Sequence, residues 1–307
     1  MVRILITTML SLLLLAGCTT PSKKETTRSM YYWSTTFHIT PRQQHFLQSH
    51  HITRLYVRYF DVVTGKEGIP MPNATISFVS PRPKGIEIIP TIFITNDCMK
   101  QSINDLPEKI LKRIVQMNDT HDIGNVHEIQ IDCDWTLSTR TRYFDFLNKL
   151  HQLAQAKGIR LSTTVRLHQL SQPIPPADHG VLMVYNTGDF TKLEEHKPIL
   201  NADSVASYVR HCGSYQLPLS AAYPIYSWRI LFRNGRYIGI MHADDDLPVI
   251  PGDSIALRQP TFDEIESAKA MIGKWNTTAN QEVILFDLSD KNIKNYKAND
   301  YEKIFAN

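Results

Sequence analysis

The sequence predicts a (β/α)8 barrel, and three observations lead there. Short runs of apolar, β-branched or aromatic residues alternate with helical patterns from about residue 30 onward. Eight such runs fit into roughly 280 residues, the strand number and length of that barrel. Several runs are almost continuously apolar, as parallel strands are when helices cover their outer side. The runner-up is an open, doubly wound α/β sheet. No glycine-rich phosphate loop opens any helix, which counts against the nucleotide-binding members of that class.

The eight runs fall at residues 30–34, 54–60, 87–95, 128–134, 160–167, 180–186, 217–223 and 282–287. Between them, helices announce their starts. Thr40-Pro41 places an N-cap before a proline at the first helical position. Asp105 precedes Leu106-Pro107-Glu108 and a periodic run through Met117. Ser138 or Thr139 opens a long helix striped by Phe144, Leu147, Leu150 and Leu153 and ended by Lys157-Gly158. Thr261-Phe262-Asp263-Glu264 is a capping box after Pro260. One stretch breaks the rhythm. Asn234-Gly235 sits between alternating apolar residues, the strongest short hairpin signal. A β-hairpin and an irregular loop (residues 242–259) are therefore expected as an insertion, about 227–259, after strand seven.

The first residues lie outside the barrel. Arg3, an apolar run from Ile4 to Leu15 and then Ala16-Gly17-Cys18 make a signal peptide, too short to span a membrane. Cysteine directly after Leu-Ala-Gly resembles the lipobox of bacterial lipoproteins. That resemblance implies cleavage before Cys18 and lipidation at Cys18, which anchors a chain without spanning the bilayer. An ordinary secretory signal with an incidental cysteine is the competing view. The expected order is signal peptide 1–17, lipidated cysteine and polar tether 18–29, and one barrel domain 30–307. At roughly 3.3 Å per residue the tether reaches no more than about 40 Å. The protein is expected to be exported and anchored to a bacterial cell membrane, the outer one in a Gram-negative cell.

The chain has 307 residues, 42% of them hydrophobic, enough for one large core. Its net charge of +3 comes with no basic run interleaved with aromatics, so nucleic acid is not an expected partner. Beyond Cys18 stand Cys98, Cys133 and Cys212, with no Cys-x-x-Cys pair, which excludes a zinc ribbon. One disulfide with an odd thiol, or three buried thiols, both fit. No cofactor or metal is expected: Asp244, Asp245 and Asp246 beside His242 lack the spacing of a calcium loop. The chain is read as a monomer.

The most informative segment is His127-Glu-Ile-Gln-Ile-Asp-Cys-Asp-Trp135. Strand side chains alternate, so Gln130, Asp132 and Asp134 share one face and Ile129, Ile131 and Cys133 the other. Carboxylates opposite an apolar row make sense where the polar face looks into a barrel. Burying them costs several kcal/mol without partners, on the order known for buried ions. Functional residues of a barrel gather at the carboxyl ends of its strands. Strand order places there Arg58 and Asp61, Asn96 and Asp97, Asp132, Asp134 and Trp135, Arg166 and His168, Tyr185 and Asn186, Tyr223, and Asp287. Aromatics and carboxylates at one mouth suit sugars, whose apolar faces stack on rings while hydroxyls bond to carboxylates and amides. Trp33, Trp135 and Trp228 fit either stacking platforms or core.

Ile131-Asp-Cys-Asp-Trp-Thr136 resembles the Asp-x-Asp-x-Glu strand end of the chitinase-type glycoside hydrolases, and Leu182-Met-Val-Tyr-Asn186 resembles their Met-x-Tyr-Asp two strands later. The exported domain as a whole is similar to a group of uncharacterised bacterial barrel lipoproteins, which adds no activity. The chitinase resemblance implies substrate-assisted chemistry, with Asp132 and Asp134 orienting the substrate's acetamido group and Tyr185 hydrogen-bonding it. Two positions depart: Thr136 stands where that family has its acid, and Asn186 where it has an aspartate. Three outcomes stay open. Asp61, Asp97, Asp287 or His168 supplies the acid; or the mouth binds a glycan uncut, with Trp135, Arg58, Arg166, His168, Asn186 and Asp287 as contacts; or Asp132, Asp134 and Arg166 form a buried ionic cluster.

Overall fold

A computed structural model describes residues 26–242 and 246–306. Eight parallel strands close into a barrel: β1 (Thr27–Tyr32), β2 (Arg54–Thr64), β3 (Glu87–Ile94), β4 (Glu128–Cys133), β5 (Arg160–Arg166), β6 (His179–Met183), β7 (Leu219–Pro224) and β8 (Glu282–Phe286). Each pairs with the next, and β8 pairs with β1, with Arg28 opposite Val283. Closure leaves no barrel strand with an unpaired edge. The (β/α)8 barrel expected from the sequence is therefore the fold. Strand β1 opens at Thr27, three residues before the expected boundary. Cys18 and most of the tether lie outside the described residues. So do Asp244 and Asp245.

Helices α1 (Pro41–Ser49), α2 (Leu106–Thr120), α3 (Arg140–Gln155), α4 (Ala202–Arg210), α5 (Phe262–Trp275) and α6 (Ala298–Phe305) pack around the strands. None of the described helices is long and apolar enough to cross a membrane. Two starts are capped as the sequence implies. Thr40 with Gln43, and Thr261 with Glu264, form reciprocal capping boxes. Two are not. Asp105 and Thr139 take near-helical backbone angles, which turn their side-chain oxygens away from the first free N–H groups. Asp105 pairs with Lys109 at 2.6 Å instead, and the Thr139 hydroxyl donates to Asn96 Oδ1 at 2.6 Å.

Alternation along the strands yields two apolar layers. Ile129, Ile131 and Cys133 face outward into the cluster shared with Ile110, Ile114, Leu147 and Leu150. Inside the barrel Tyr31, Tyr56, Ile89, Val181, Met183, Ala222 and Ile284 pack against one another. Beneath them, the amino ends of the strands bring together an ionic ring. Arg54 donates to Glu87 at 3.0 Å, Glu128 at 2.8 Å and Glu282 at 2.7 Å, and Arg160 joins Glu128 at 2.9 Å. Ser29 and Ser220 donate to Glu282 at 2.6 and 2.7 Å.

The insertion differs from expectation in one respect. Trp228–Arg233 and Arg236–Met241 form the hairpin, turned by Asn234 and Gly235, both at positive φ as a type I′ turn requires. The segment expected to be an irregular loop contains a third strand, Asp253–Arg258, paired antiparallel to Trp228–Arg233. A forked ion pair fixes it, Arg233 Nε and Nη2 each 2.9 Å from Asp253. Strand β2 also overruns the barrel rim and folds back on Pro70–Asn73. Cys98, Cys133 and Cys212 are free thiols, the first two buried.

Candidate functional site at the barrel mouth

Strands β4 and β5 build the centre of the mouth. Asp132 retains 4% exposure, and its Oδ1 accepts from Thr164 Oγ1 at 2.7 Å and Arg166 Nη2 at 2.9 Å. Asp134, one step further out on the same face, is bonded by Arg166 Nε and keeps 57% of its side chain exposed. Burial pushes the Asp132 carboxyl up, and the Arg166 guanidinium beside it pulls the other way. Arg166 is positioned from behind: its N–H donates to Gln169 Oε1 at 2.8 Å, and Gln169 Nε2 donates to Trp135 O at 3.0 Å. Two buried donors in this region, Arg166 Nη1 and Gln130 Nε2, have no partner.

Strands β6, β7 and β8 supply an aromatic wall. Tyr185 packs edge-on to Tyr226 at 5.9 Å and against Phe286 at 5.5 Å. The rings continue from Phe286 to Trp33 at 5.4 Å, and from Tyr226 to Trp228 at 5.4 Å. Phe190 carries the wall onto the insertion, 5.3 Å from Trp228 and 5.6 Å from Tyr237. Burial pushes the Tyr185 hydroxyl well up, and that hydroxyl makes no hydrogen bond among the described residues. Asn186 adopts a positive φ, which asparagine tolerates, and its Oδ1 accepts from Tyr226 at 2.8 Å.

Three expected contacts lie elsewhere or are engaged. Trp135 is not part of the mouth: it is 2% exposed and packs on Tyr143 and Phe144 of α3. It falls on the outward face with Ile131 and Cys133, so it fills core. His168 leaves the strand on a short 3-10 turn, Leu167–Gln169, and is exposed, with its imidazole pushed down by burial. Arg58 is at the rim but tied: Nε donates to Asp61 at 2.7 Å, and its guanidinium lies 5.4 Å over Trp33. A bulge between Arg58 and Phe60 turns Asp61 onto the same face as Arg58; regular alternation would oppose them.

Asp287 ends β8. Burial pushes its carboxyl up to about 6, with Asn292 Nδ2 donating to it and partly offsetting the rise. A carboxyl raised that far can exchange a proton near neutrality. Thr136 is exposed and bonds only to hydroxyl and amide groups, Ser138 at 3.0 Å and Asn96 at 3.4 Å. No cluster of three or more potential metal ligands occurs among the described residues. Tyr226, Phe286, Phe190 and Tyr237 were not singled out from the sequence. Phe286 was readable, since it alternates with Ile284 on the inward face of β8.

No protein-family model and no curated protein matches this sequence. Solved structures do. The chitinase of Chromobacterium violaceum aligns over 91% of this chain and 98% of its own, at 11% identity and a TM-score of 0.60. The spore cortex-lytic enzyme SleL of Bacillus megaterium covers 93% of this chain and 74% of its own, at 13% identity and 0.58. The GH18 chitinase of Cycas revoluta, solved in complex with (GlcNAc)3, covers 91% and 98%, at 9% identity and 0.55. The likeness is one of fold. At such identities the likeness shows the fold and leaves any chemistry to the residues in place.

Proposed function

We propose that the barrel binds a glycan at its mouth without cutting it, and that a lipid on Cys18 holds it at a bacterial membrane. The observation that carries the binding reading is the continuous aromatic wall from Trp33 through Phe286, Tyr185, Tyr226 and Trp228 to Phe190. It stands beside Asp134 and a free Tyr185 hydroxyl, the pairing of stacking surface and polar groups that pyranose rings use. The neighbours, which include chitinases and a complex with (GlcNAc)3, support a polymer of hexosamines as the glycan class.

Against hydrolysis stands Arg166. It is ion-paired with both Asp132 and Asp134, and Thr136 offers no ionisable proton beside them. The test is calorimetric titration of the mature chain in detergent with hexosamine tetramers, alongside mass spectrometry of the same mixtures over days. Saturable binding with intact oligomers is expected. Released shorter oligomers would overturn the non-catalytic reading, and absence of binding to any hexosamine oligomer would overturn the glycan itself. The anchor is checked separately: Cys18→Ser should move the protein from the membrane fraction to the soluble one.

A further inference from the structure

A recess of about 420 Å³ opens beside the mouth, between the segment after β1 and the segment after β8. Trp33, His38, Asp287, Ser289 and Asp290 line it, and no lysine or arginine does. Its carboxylates differ from the others at the mouth. Asp61 is paired with Arg58, and Asp132 and Asp134 with Arg166. Asp287 and Asp290 accept only from neutral groups, Asn292 Nδ2 and Thr40 Oγ1 (2.7 Å), and neither has an ion-pair partner among the described residues.

Two carboxylates without an ion-pair partner beside an indole, in an open recess, favour a cation over a neutral hydroxyl. An ammonium gains charge-assisted hydrogen bonds from the carboxylates and quadrupole attraction from the ring. Trp33 already serves that chemistry once, with the Arg58 guanidinium 5.4 Å from its centroid. The recess is continuous with the aromatic wall, because Trp33 touches Phe286. A sugar stacked on that wall can therefore direct a substituent into it.

We infer that the recess takes the protonated amine of a de-N-acetylated hexosamine, so that the mouth prefers glucosamine-containing polymers to fully N-acetylated ones. This rests on the glycan-binding reading above and adds the substituent that is recognised. An N-acetyl group brings an uncharged amide and a methyl, which leave both carboxylates without a counter-charge.

The experiment is titration of the mature chain with glucosamine tetramer and with N-acetylglucosamine tetramer at pH 7 and fixed salt. Glucosamine tetramer should bind about ten-fold tighter, the scale of one charge-assisted contact. Asp287→Asn and Asp290→Asn should each lower that ratio toward one, with circular dichroism confirming that the variants fold. Equal or reversed affinity in the unmodified protein would overturn the inference and leave glycan binding standing. Binding of neither tetramer would overturn both. If a variant fails to fold, the ratio measured on the unmodified protein still decides. A lysine peptide that binds as tightly as the glucosamine tetramer would also sink the proposal, by showing an amine site indifferent to sugar.

Discussion

Asp287 shows how the burial of a single residue at this mouth makes stability depend on pH. Its carboxyl is raised to about 6 by burial, so the folded chain holds its proton at pH values where the unfolded chain has released it. The sign follows directly. The contribution is fully favourable below the ordinary aspartate range and is lost as pH rises from about 4 through about 6. Above that, ionised Asp287 costs roughly 2–3 kcal/mol at 1.36 kcal/mol per pKa unit. Asp287→Asn should therefore stabilise the protein against urea at pH 7.5 and leave it nearly unchanged at pH 3.5. Equal effects at both pH values would refute this account. The position of Asp287 at the end of β8 was legible in the sequence. Its lack of a basic partner was not, since Asn292 meets it only through loop geometry. Strand alternation placed Asp132 and Asp134 correctly inward and, carried one step further, places Trp135 outward. A tryptophan beside a carboxylate suggests a platform, but parity decides which side of the sheet it packs on. Arg58 and Asp61 defeated parity because a bulge intervenes.

At the scale of elements, local signals succeeded where the backbone could use them. Thr261 and Glu264 exchange both hydrogen bonds of a capping box, with the Thr261 hydroxyl 3.2 Å from the Glu264 N–H. Asp105 stands in the same place before α2 and makes no cap, only an exposed pair with Lys109. The two positions should respond differently. Thr261→Ala is expected to lower unfolding free energy by about 1 kcal/mol, and Asp105→Ala by distinctly less, read from denaturant melts of each variant. Equal losses would mean that Asp105 caps in solution. The insertion shows the opposite limit of local signals. Asn234-Gly235 declares its turn at once, whereas the strand Asp253–Arg258 has half-exposed Ile255 and Leu257 and little buried alternation. Its pairing is set by a distant partner, Arg233 across the sheet, and a non-local ion pair leaves no mark in the window that reads periodicity.

On the scale of the whole molecule, the barrel separates its tasks by end. The carboxyl-end rim carries a half-buried aromatic wall and, in Asp287 and Asp290, acids without an ion-pair partner among the described residues; the amino end is closed by the ring around Arg54. That ring was invisible to sequence reading, because each of Glu87, Glu128 and Glu282 merely begins a strand and looks like a solvated edge. Closure of the barrel is what gathers them around one guanidinium. Burial works against the charge on Glu282, but Arg54, Ser29 and Ser220 outweigh it and hold its carboxyl below the ordinary glutamate range. The stabilisation is therefore present above the unfolded glutamate pKa and lost as pH falls below it. Arg54→Met keeps the side chain's apolar bulk under Tyr56 yet leaves Glu87 and Glu282 without an ion-pair partner among the described residues, and Glu128 with Arg160 alone. Breaking a buried pair by removing one partner costs about 3–5 kcal/mol, so the variant should lose that much at pH 7. At pH 4.5 and below, the glutamates can take up protons, and the difference from the unmodified chain should shrink. Because the ring lies at the far end of the lumen from Asp134 and Tyr185, affinity for hexosamine oligomers measured on the folded fraction should not change. A variant as stable as its parent at pH 7 would show that the amino-end glutamates are compensated by water instead of Arg54. One that folds but loses oligomer binding would show that the two ends of the barrel are coupled.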